Sequence, residues 1–298
     1  MLKTLIRFIP YAPWRDRLLK TWDPNAPLVA VVRLSGIIGP TAPFRGGLNL
    51  AGLAGDLEQA FSLRGVKAVA LAINSPGGSP VQSSLIHKRI RALAAEKEIP
   101  VYAFVEDVAA SGGYWLACAG DEIYADESSI LGSIGVIMAG FGFQRAIEKL
   151  GVERRVHTAG EHKAMLDPFR PEDPEEVKRI EAIQQDIHES FKALVRDHRE
   201  GKLKAPEEEL FTGAFWAGRR ALELGLIDGL SDLRAVLREK YGDKVRLRVV
   251  GGAKPWWRRR PGAGGGEAGL ARAWEPPALA EGLLAGLEAR SLWSRFGL

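Results

Sequence analysis

Short apolar runs rich in β-branched residues alternate with helical patterns, and this alternation constrains the fold more than any other feature. Residues 28–34, 66–73 and 101–105 are predicted to be buried strands because each is short, apolar and followed by turn residues. Apolar residues at helical spacing predict helices over 49–63 and 81–93. Strands that alternate with helices are typical of βαβ units. We therefore predict an α/β fold with a mostly parallel sheet.

The second half of the chain continues with weaker patterns. Extended segments are predicted at 122–124, 130–137, 154–157 and 245–250. Helices are predicted at 114–119, 143–150, from Pro174 onward, at 219–224 and at 231–241. The start of the long helix is the clearest of these, since Asp173 is a preferred N-cap and Pro174 a preferred first residue.

A change of composition marks the end of the main domain near Gly251. Residues 254–261 are basic and aromatic, residues 262–266 form a glycine-rich linker, and residues 277–298 have the apolar spacing of an amphipathic helix. We therefore divide the chain into an N-terminal basic and aromatic segment at 1–27, a main domain at 28–251 and a C-terminal region at 252–298.

Composition and charge exclude several classes of protein. A hydrophobic fraction of 46% is typical of a globular chain rather than a disordered one. The net charge of +4 is a mild excess for 298 residues and gives no indication of nucleic-acid binding. The single cysteine, Cys118, excludes an internal disulfide, and its small apolar neighbours favour a buried packing role.

Hydropathy bears on localisation. No apolar run approaches the roughly 18 residues that span a bilayer, and charged residues and prolines interrupt the N-terminal stretch, so we expect a cytoplasmic protein. The basic N-terminal stretch either lies peripherally on a membrane surface or docks on the rest of the chain. The C-terminal region likewise either contacts a membrane surface or forms a solvated linker followed by an assembly helix.

Two loops of small residues follow predicted strands, at 74–78 (NSPGG) and 109–113 (AASGG). Sites in parallel sheets lie at the carboxyl ends of strands, so these loops are expected to converge. Ser111 is suited to be a nucleophile because its small neighbours admit a peptide backbone, while the Gly112 N–H and the following helix favour an oxyanion. A plain structural turn is the alternative interpretation.

A nucleophilic serine needs a base, and histidine is the usual one. The chain has five histidines, His87, His157, His162, His188 and His198. None is supported by its spacing from Ser111, although a histidine base stays open. Lys163 follows the predicted strand at 154–157, and a lysine acts as a base only where burial favours its neutral form. Spacing alone does not select Lys163.

Five short segments, taken together and in this order, carry a family resemblance. They are 73–79 (INSPGGS), 109–114 (AASGGY), 130–136 (ILGSIGV), 160–163 (GEHK) and the pair 211–213 (FTG) with 224–228 (LGLID). In this combination the chain resembles the S49 peptidase family of signal peptide peptidase A and SohB-like proteins, over roughly residues 28–240, in its short single-module form without the membrane anchor of many members.

The resemblance implies a ClpP/crotonase-like fold, a repeated ββα spiral with mostly parallel sheets, and a Ser–Lys dyad. It places the nucleophile at Ser111, the base at Lys163 and a serine that orients the lysine at Ser133. Gly77 or Gly78, together with Gly112, would form the oxyanion hole. No metal or other cofactor is implied. Similar proteins form rings or domes, so the expected partners are peptide substrates and further copies of this chain, with substrate grooves shared between subunits.

The expected function is therefore a serine endopeptidase that cleaves peptides, such as remnant signal peptides or other membrane-derived peptides, through an acyl-enzyme. Two alternatives remain from the sequence. A crotonase-like acyl-CoA enzyme would use the glycine loops for a thioester oxyanion but would leave Ser111 unexplained. A non-catalytic assembly protein that binds peptides would need neither Ser111 nor Lys163.

Overall fold

A single mixed sheet organises the described part of the chain, which in this computed structural model comprises residues 26–39, 47–251, 286 and 290–298. Its strands are β1 Leu28–Ser35, β2 Val66–Ser75, β3 Val101–Ala110, β4 Glu122–Ala125, β5 Ile130–Gly132, β6 Phe215–Ala217, β7 Gly229–Leu230 and β8 Arg246–Val250. The helices are α1 Leu50–Ser62, α2 Pro80–Lys97, α3 Gly112–Ala117, α4 Gln144–Lys149, α5 Pro174–His198, α6 Glu207–Leu210, α7 Gly218–Glu223 and α8 Leu233–Tyr241.

The strand order is β6-β5-β3-β2-β1-β8, and β4 joins β3 to β7. Within the described ranges every pair is parallel except β5 with β6. The predicted α/β class with a mostly parallel sheet is confirmed, in agreement with the ClpP/crotonase-like fold that the resemblance implies.

Burial on both faces explains the continuous apolar runs of the central strands. In β2, residues 68–73 are all buried. One face packs against α1 and α2 through residues such as Leu57 and Ile86, and the other packs against α8 through Leu237. Complete burial of a side chain such as Leu71 stabilises the fold by about 1.5–3 kcal/mol. The sheet is therefore a rigid platform for the loops at its edge.

Strand β3 has two neighbours on the same side. Its residues 102–105 pair with β4, and its residues 108–110 pair with β5. In this register Ala110 lies opposite Gly132, the last residue of β5. The residues that follow, Ser111 and Ser133, therefore leave the sheet side by side.

Most of the predicted elements are confirmed, but two predictions are wrong and two short strands were not predicted. Residues 154–157 are exposed and irregular, not a strand. The extended segment predicted at 130–137 ends at Gly132, because Gly132 and Ser133 have φ values of 105° and 52°, outside the β region. Strands β6 and β7 were not predicted, since they have only three and two residues and carry no alternating pattern.

The predictions for residues 1–25, 254–261 and 262–266 lie outside the described residues. Of the helix predicted at 277–298, residues 290–294 are helical. Phe296, which follows them, packs on Val108 and Ala110 of β3. Among the helices of the described ranges, none has both the length and the apolar character to span a bilayer.

Candidate active site

The two glycine-rich loops meet at the carboxyl edge of the sheet. Ser75 at the end of β2 lies opposite Ala109 near the end of β3, so the loops that follow are neighbours. A Cβ atom placed on Gly77 would lie 2.8 Å from Ser111 Cβ. This approach is closer than real Cβ atoms tolerate, so a glycine is needed at this position. The predicted convergence of the loops is confirmed.

Ser111 occupies the turn from β3 to α3 with φ 51° and ψ −121°, a conformation that few non-glycine residues adopt. Such a residue costs about 1–3 kcal/mol and persists only where its surroundings fix it. Here the Ser111 N–H donates to the Gly132 carbonyl at 2.8 Å, and the Ser111 carbonyl accepts from the Tyr114 N–H at 2.9 Å. The side chain remains partly exposed at the surface.

A backbone bridge determines which N–H of the first glycine loop is free to bind an oxyanion. The Ile38 N–H donates to the Gly77 carbonyl at 2.8 Å, and the Ser79 N–H donates to the Ile38 carbonyl at 2.7 Å. In a parallel bridge of this kind the N–H of the middle residue, Gly78, points away from Ile38. The Gly77 N–H is already used, since it donates to Ser75 Oγ at 3.2 Å.

Gly78 and Gly112 bring their amides together beside Ser111. A Cβ on Gly112 would lie 3.4 Å from Gly78 N and 2.4 Å from Ser83 Oγ. Within the described residues neither the Gly78 N–H nor the Gly112 N–H donates a hydrogen bond. Two unused amides beside a serine are the donors that a developing oxyanion requires.

Ser133 lies in a turn directly beside Ser111. Its φ is 52°, its side chain is buried, and its N–H donates to the Ala214 carbonyl at 2.6 Å. The Gly135 N–H closes the turn on the Ser133 carbonyl at 3.0 Å. The structure thus brings together five of the predicted site residues: Ser111, Ser133, Gly77, Gly78 and Gly112.

Lys163 has a different environment. It lies in an irregular stretch and is exposed, and its backbone N–H donates to the Gly160 carbonyl at 3.2 Å. Across the described ranges its side-chain amine makes no hydrogen bond or ion pair, and none joins it to Ser111 or Ser133. The burial expected of a lysine base is therefore not present in a single chain.

Helix α5 holds the loop that carries Lys163. Glu176, which is only 8% exposed, accepts from the Leu166 N–H at 3.0 Å and pairs with Arg170. Arg170 also donates to the Ala164 carbonyl at 2.6 Å. Lys163 therefore projects from a backbone that is tied down just after it.

The surface that includes the Lys163 loop is unusually apolar. We call residues 136–172 the lysine arm. Large hydrophobic side chains of the arm are exposed by 37–80%: Ile137, Met138, Phe141, Phe143, Leu150, Val152, Val156 and Leu166. Exposed apolar side chains clustered on one segment are typical of interaction surfaces.

The histidines have other roles. His87 and His198 face each other with their Nε2 atoms 3.2 Å apart, and burial together with His198 lowers the pKa of His87 to about 4. His157 and His162 are exposed. His188, whose position the sequence did not single out, donates from Nε2 to the Ile134 carbonyl at 3.0 Å. Among the described residues no histidine is hydrogen-bonded to Ser111.

Two further groups bear on the chemistry. Cys118 is buried, as predicted, and burial raises the pKa of its thiol to about 12, which makes it unreactive. Within the described ranges no group of three or more His, Cys, Asp or Glu side chains lies close enough together to hold a metal ion.

Known proteins place the chain in a family. The model of peptidase family S49 matches residues 94–245. The whole chain is 49% identical to a Brucella abortus protein named Na(+)/H(+) antiporter NhaA, of which it covers 39%. It is 35% identical over 236 residues to the serine protease SPPA, chloroplastic, of Arabidopsis thaliana, an alignment that covers 74% of this chain and 34% of the relative.

Among solved structures, the chain is similar to 1510-N, a membrane-bound stomatin-specific protease in complex with a substrate peptide. The match has 16% identity and a TM-score of 0.48, and it covers 76% of this chain and 94% of the 1510-N chain. The chain spans only about a third to two fifths of the length of the two sequence relatives. The family match covers more than half of the chain and includes both Ser111 and Lys163. The chain therefore belongs to peptidase family S49.

Proposed function

We propose that the chain is a serine endopeptidase in which Ser111 is the nucleophile, Lys163 is the general base and Ser133 orients the lysine. One observation carries the proposal: the strained Ser111 turn presents a partly exposed hydroxyl next to the unused N–H groups of Gly78 and Gly112. Strain of this kind accumulates at functional sites because the fold must stabilise it elsewhere.

The proposed chemistry follows from this arrangement. Ser111 Oγ attacks the carbonyl carbon of a peptide bond while the neutral amine of Lys163 takes its proton. The negative charge that develops on the carbonyl oxygen is stabilised by the Gly78 and Gly112 N–H groups. The protonated lysine then returns the proton to the leaving amine, and water hydrolyses the acyl-enzyme to release the second product.

Lys163 can act as a base only after water is removed from its surroundings. Burial disfavours a charged amine, and Lys163 is exposed in one chain. The exposed apolar side chains of the lysine arm provide a surface on which a second copy could pack and so bury Lys163. We therefore place the complete site in a homo-oligomer with substrate grooves shared between subunits.

Peptides are the proposed substrates. The name of the Arabidopsis relative describes a serine protease, and 1510-N is described with a bound substrate peptide. Remnant signal peptides and other membrane-derived peptides are the proposed class. Contact with a membrane surface stays a prediction, because the basic segments on which it rests lie outside the described residues.

A fluorophosphonate probe, which reacts with activated serines, tests the proposal. We expect it to label the assembled wild-type protein at Ser111, with labelling abolished in Ser111→Ala and strongly reduced in Lys163→Ala. Ser128→Ala is a matched control, because Ser128 is exposed on a turn after β4. Labelling that persists in Ser111→Ala would refute the assignment of the nucleophile, and unchanged labelling in Lys163→Ala would refute the assignment of the base.

A further inference from the structure

Helix α5 touches the nucleophile region from two sides. Phe191 of α5 stacks on Trp115, with ring centroids 4.7 Å apart and planes inclined by 22°. Trp115 belongs to α3, four residues beyond Ser111, and is buried. Three residues before Phe191, and so on the same face of α5, lies His188. The helix therefore presents one apolar and one polar contact to the site.

The polar contact reaches the Ser133 turn. His188 Nε2 lies 3.0 Å from the Ile134 carbonyl oxygen, and since a carbonyl only accepts, Nε2 carries the hydrogen. Ile134 is completely buried, and among the described residues no other group donates to its carbonyl. A buried carbonyl that loses its only donor is costly, so this bond fixes the position of the turn.

The turn at Ser133 also fixes the backbone of Ser111. Its first residue, Gly132, has φ 105° and accepts the Ser111 N–H at 2.8 Å. Its second residue, Ser133, has φ 52° and donates to Ala214. A turn with two consecutive positive φ values relaxes toward ordinary conformations unless it is held. The Ala214 carbonyl holds it on one side and His188 on the other.

We propose that His188 is a positioning residue that holds the Ser133 turn, and through Gly132 the backbone of Ser111, in the reactive conformation. It does not touch the substrate or the reacting atoms. The inference rests on the proposed function, because it assigns His188 a role in the reactivity of Ser111. It also makes a structural claim that does not depend on activity: without the His188 hydrogen bond, the Ser111 amide loses protection.

Three substitutions separate the hydrogen bond from the shape of the side chain. His188→Phe keeps a ring but removes the donor, and His188→Asn keeps a polar side chain that is too short to reach Ile134. His188→Gln places an amide donor near the original Nε2 position. Gln185→Ala, three residues earlier on an exposed part of α5, is the control.

The measurements are the rate of fluorophosphonate labelling at Ser111, kcat and KM on a peptide, hydrogen exchange of residues 108–116, and Tm. We expect labelling and kcat to fall about tenfold or more in the Phe and Asn variants, with little change in KM, because a small displacement of a nucleophile slows the chemical step. Exchange at the Ser111 amide should become faster. His188→Gln should restore both readouts to near the wild-type values.

The outcomes distinguish the inference from the proposed function. A wild type that is not labelled at Ser111 overturns the proposed function, and hydrogen exchange at the Ser111 amide then decides whether His188 holds the turn. If the wild type is labelled and all three variants match it in labelling rate and in exchange at the Ser111 amide, only the role of His188 is overturned. If the Phe variant fails to fold, the Asn and Gln variants decide. Equal losses in these two, or losses that only follow Tm, would make His188 a general packing residue and refute the inference.

Discussion

Ser111 and Lys163 lie in regions of opposite character. Around Ser111 the backbone is strained, its own N–H and C=O groups are both hydrogen-bonded, and the neighbouring residues Ala109, Ala110 and Gly112 are buried. Around Lys163 the chain is irregular and exposed, and large apolar side chains of the lysine arm face solvent. We call the first the finished region, because its contacts are made within one chain. The second presents exposed apolar side chains of the kind found at interaction surfaces.

Under the proposed function, this difference predicts where activity would be controlled. Small displacements of a nucleophile and its oxyanion donors are costly, so these groups benefit from a rigid sheet edge. A neutral lysine needs only a dry environment, which a second subunit can supply. A single chain would then carry a prepared but inactive serine, and association would switch on the base.

The largest expected effect comes from removing either member of the proposed dyad, and it tests whether Ser111 and Lys163 come from different subunits. Ser111→Ala should abolish peptide hydrolysis, and Lys163→Ala should reduce it by about a hundred- to ten-thousandfold, the usual contribution of a general base. If the lysine of one copy serves the serine of another, mixing the two inactive variants and allowing subunits to exchange should restore part of the activity. Hydrolysis by mixed and separate variants, measured after exchange, checks this.

The mixing experiment has a clear opposite result. If Ser111 and Lys163 of the same copy form the dyad, no mixture of the two variants contains a complete site and activity stays at the level of the separate variants. Variants that carry different affinity tags and are recovered together after mixing confirm that subunits exchange. A mixture without restored activity would place both members of the dyad in one copy and leave the second copy only the role of burying Lys163.

The next largest effect concerns the oxyanion donors of the finished region. In Gly78→Ala the new Cβ would lie 2.0 Å from the Ile38 carbonyl oxygen at a φ of 140°, so the loop must move. We expect kcat to fall by about a hundred- to a thousandfold through loss of the Gly78 N–H. Gly55→Ala is the control, since that glycine lies in α1 with open space around it. Equal kcat values in the two variants would exclude Gly78 as a donor.

A smaller effect is expected from the surface of the lysine arm. Phe141→Asp and Leu150→Asp place a charge at residues that are 80% and 76% exposed. The free energy of unfolding of the single chain should therefore change by no more than about 0.5 kcal/mol. If the arm packs on a second copy, the oligomer should dissociate and Ser111 labelling should fall about tenfold or more. Analytical ultracentrifugation and labelling at matched concentrations measure this.

A matched control is available on the opposite part of the sheet. Val249 of β8 is apolar and 57% exposed but does not belong to the lysine arm. Val249→Asp should leave assembly and labelling unchanged. Arm variants that stay assembled would show that the arm is not the assembly surface. Variants that dissociate and keep full labelling would show that the lysine does not depend on a second copy.

The two regions also differ in how well the sequence predicts them. The nucleophile region follows from local rules: apolar runs predict β2 and β3, and small residues predict the loops at their ends. The choice between Gly77 and Gly78 could not be made in advance. It depends on the bridge from Ile38, about 40 residues earlier in the chain.

The lysine region was predicted less well because its structure depends on contacts with residues far away in the sequence. The strand expected at 154–157 does not form: its four residues are exposed, and no strand pairs with them within the described residues. His188 was one of five equivalent histidines in the sequence. Only the packing of α5 against the Ser133 turn distinguishes it.

The smallest effect on activity is expected from lowering the pH, which should reduce the folding stability of the finished region. The pKa of His87 is lowered to about 4 by burial and by His198, against an ordinary value of about 6.5. Between these two pH values the unfolded chain binds a proton at His87 that the folded chain does not. Stability should therefore be fully retained above pH 6.5 and fall toward pH 4, by about 3 kcal/mol from this residue.

Thermal unfolding of His87→Gln across this pH range isolates the effect, since glutamine keeps a donor for the Cys118 carbonyl without titrating. The Tm of the wild type should fall more steeply below pH 6.5 than that of His87→Gln, whereas His157→Gln, at an exposed position, should follow the wild type. Because His87 and His198 join α2 to the end of α5, the loss should appear together with faster exchange around Ser111. Parallel curves for wild type and His87→Gln would show that the nucleophile region gains no acid sensitivity from the buried histidine pair.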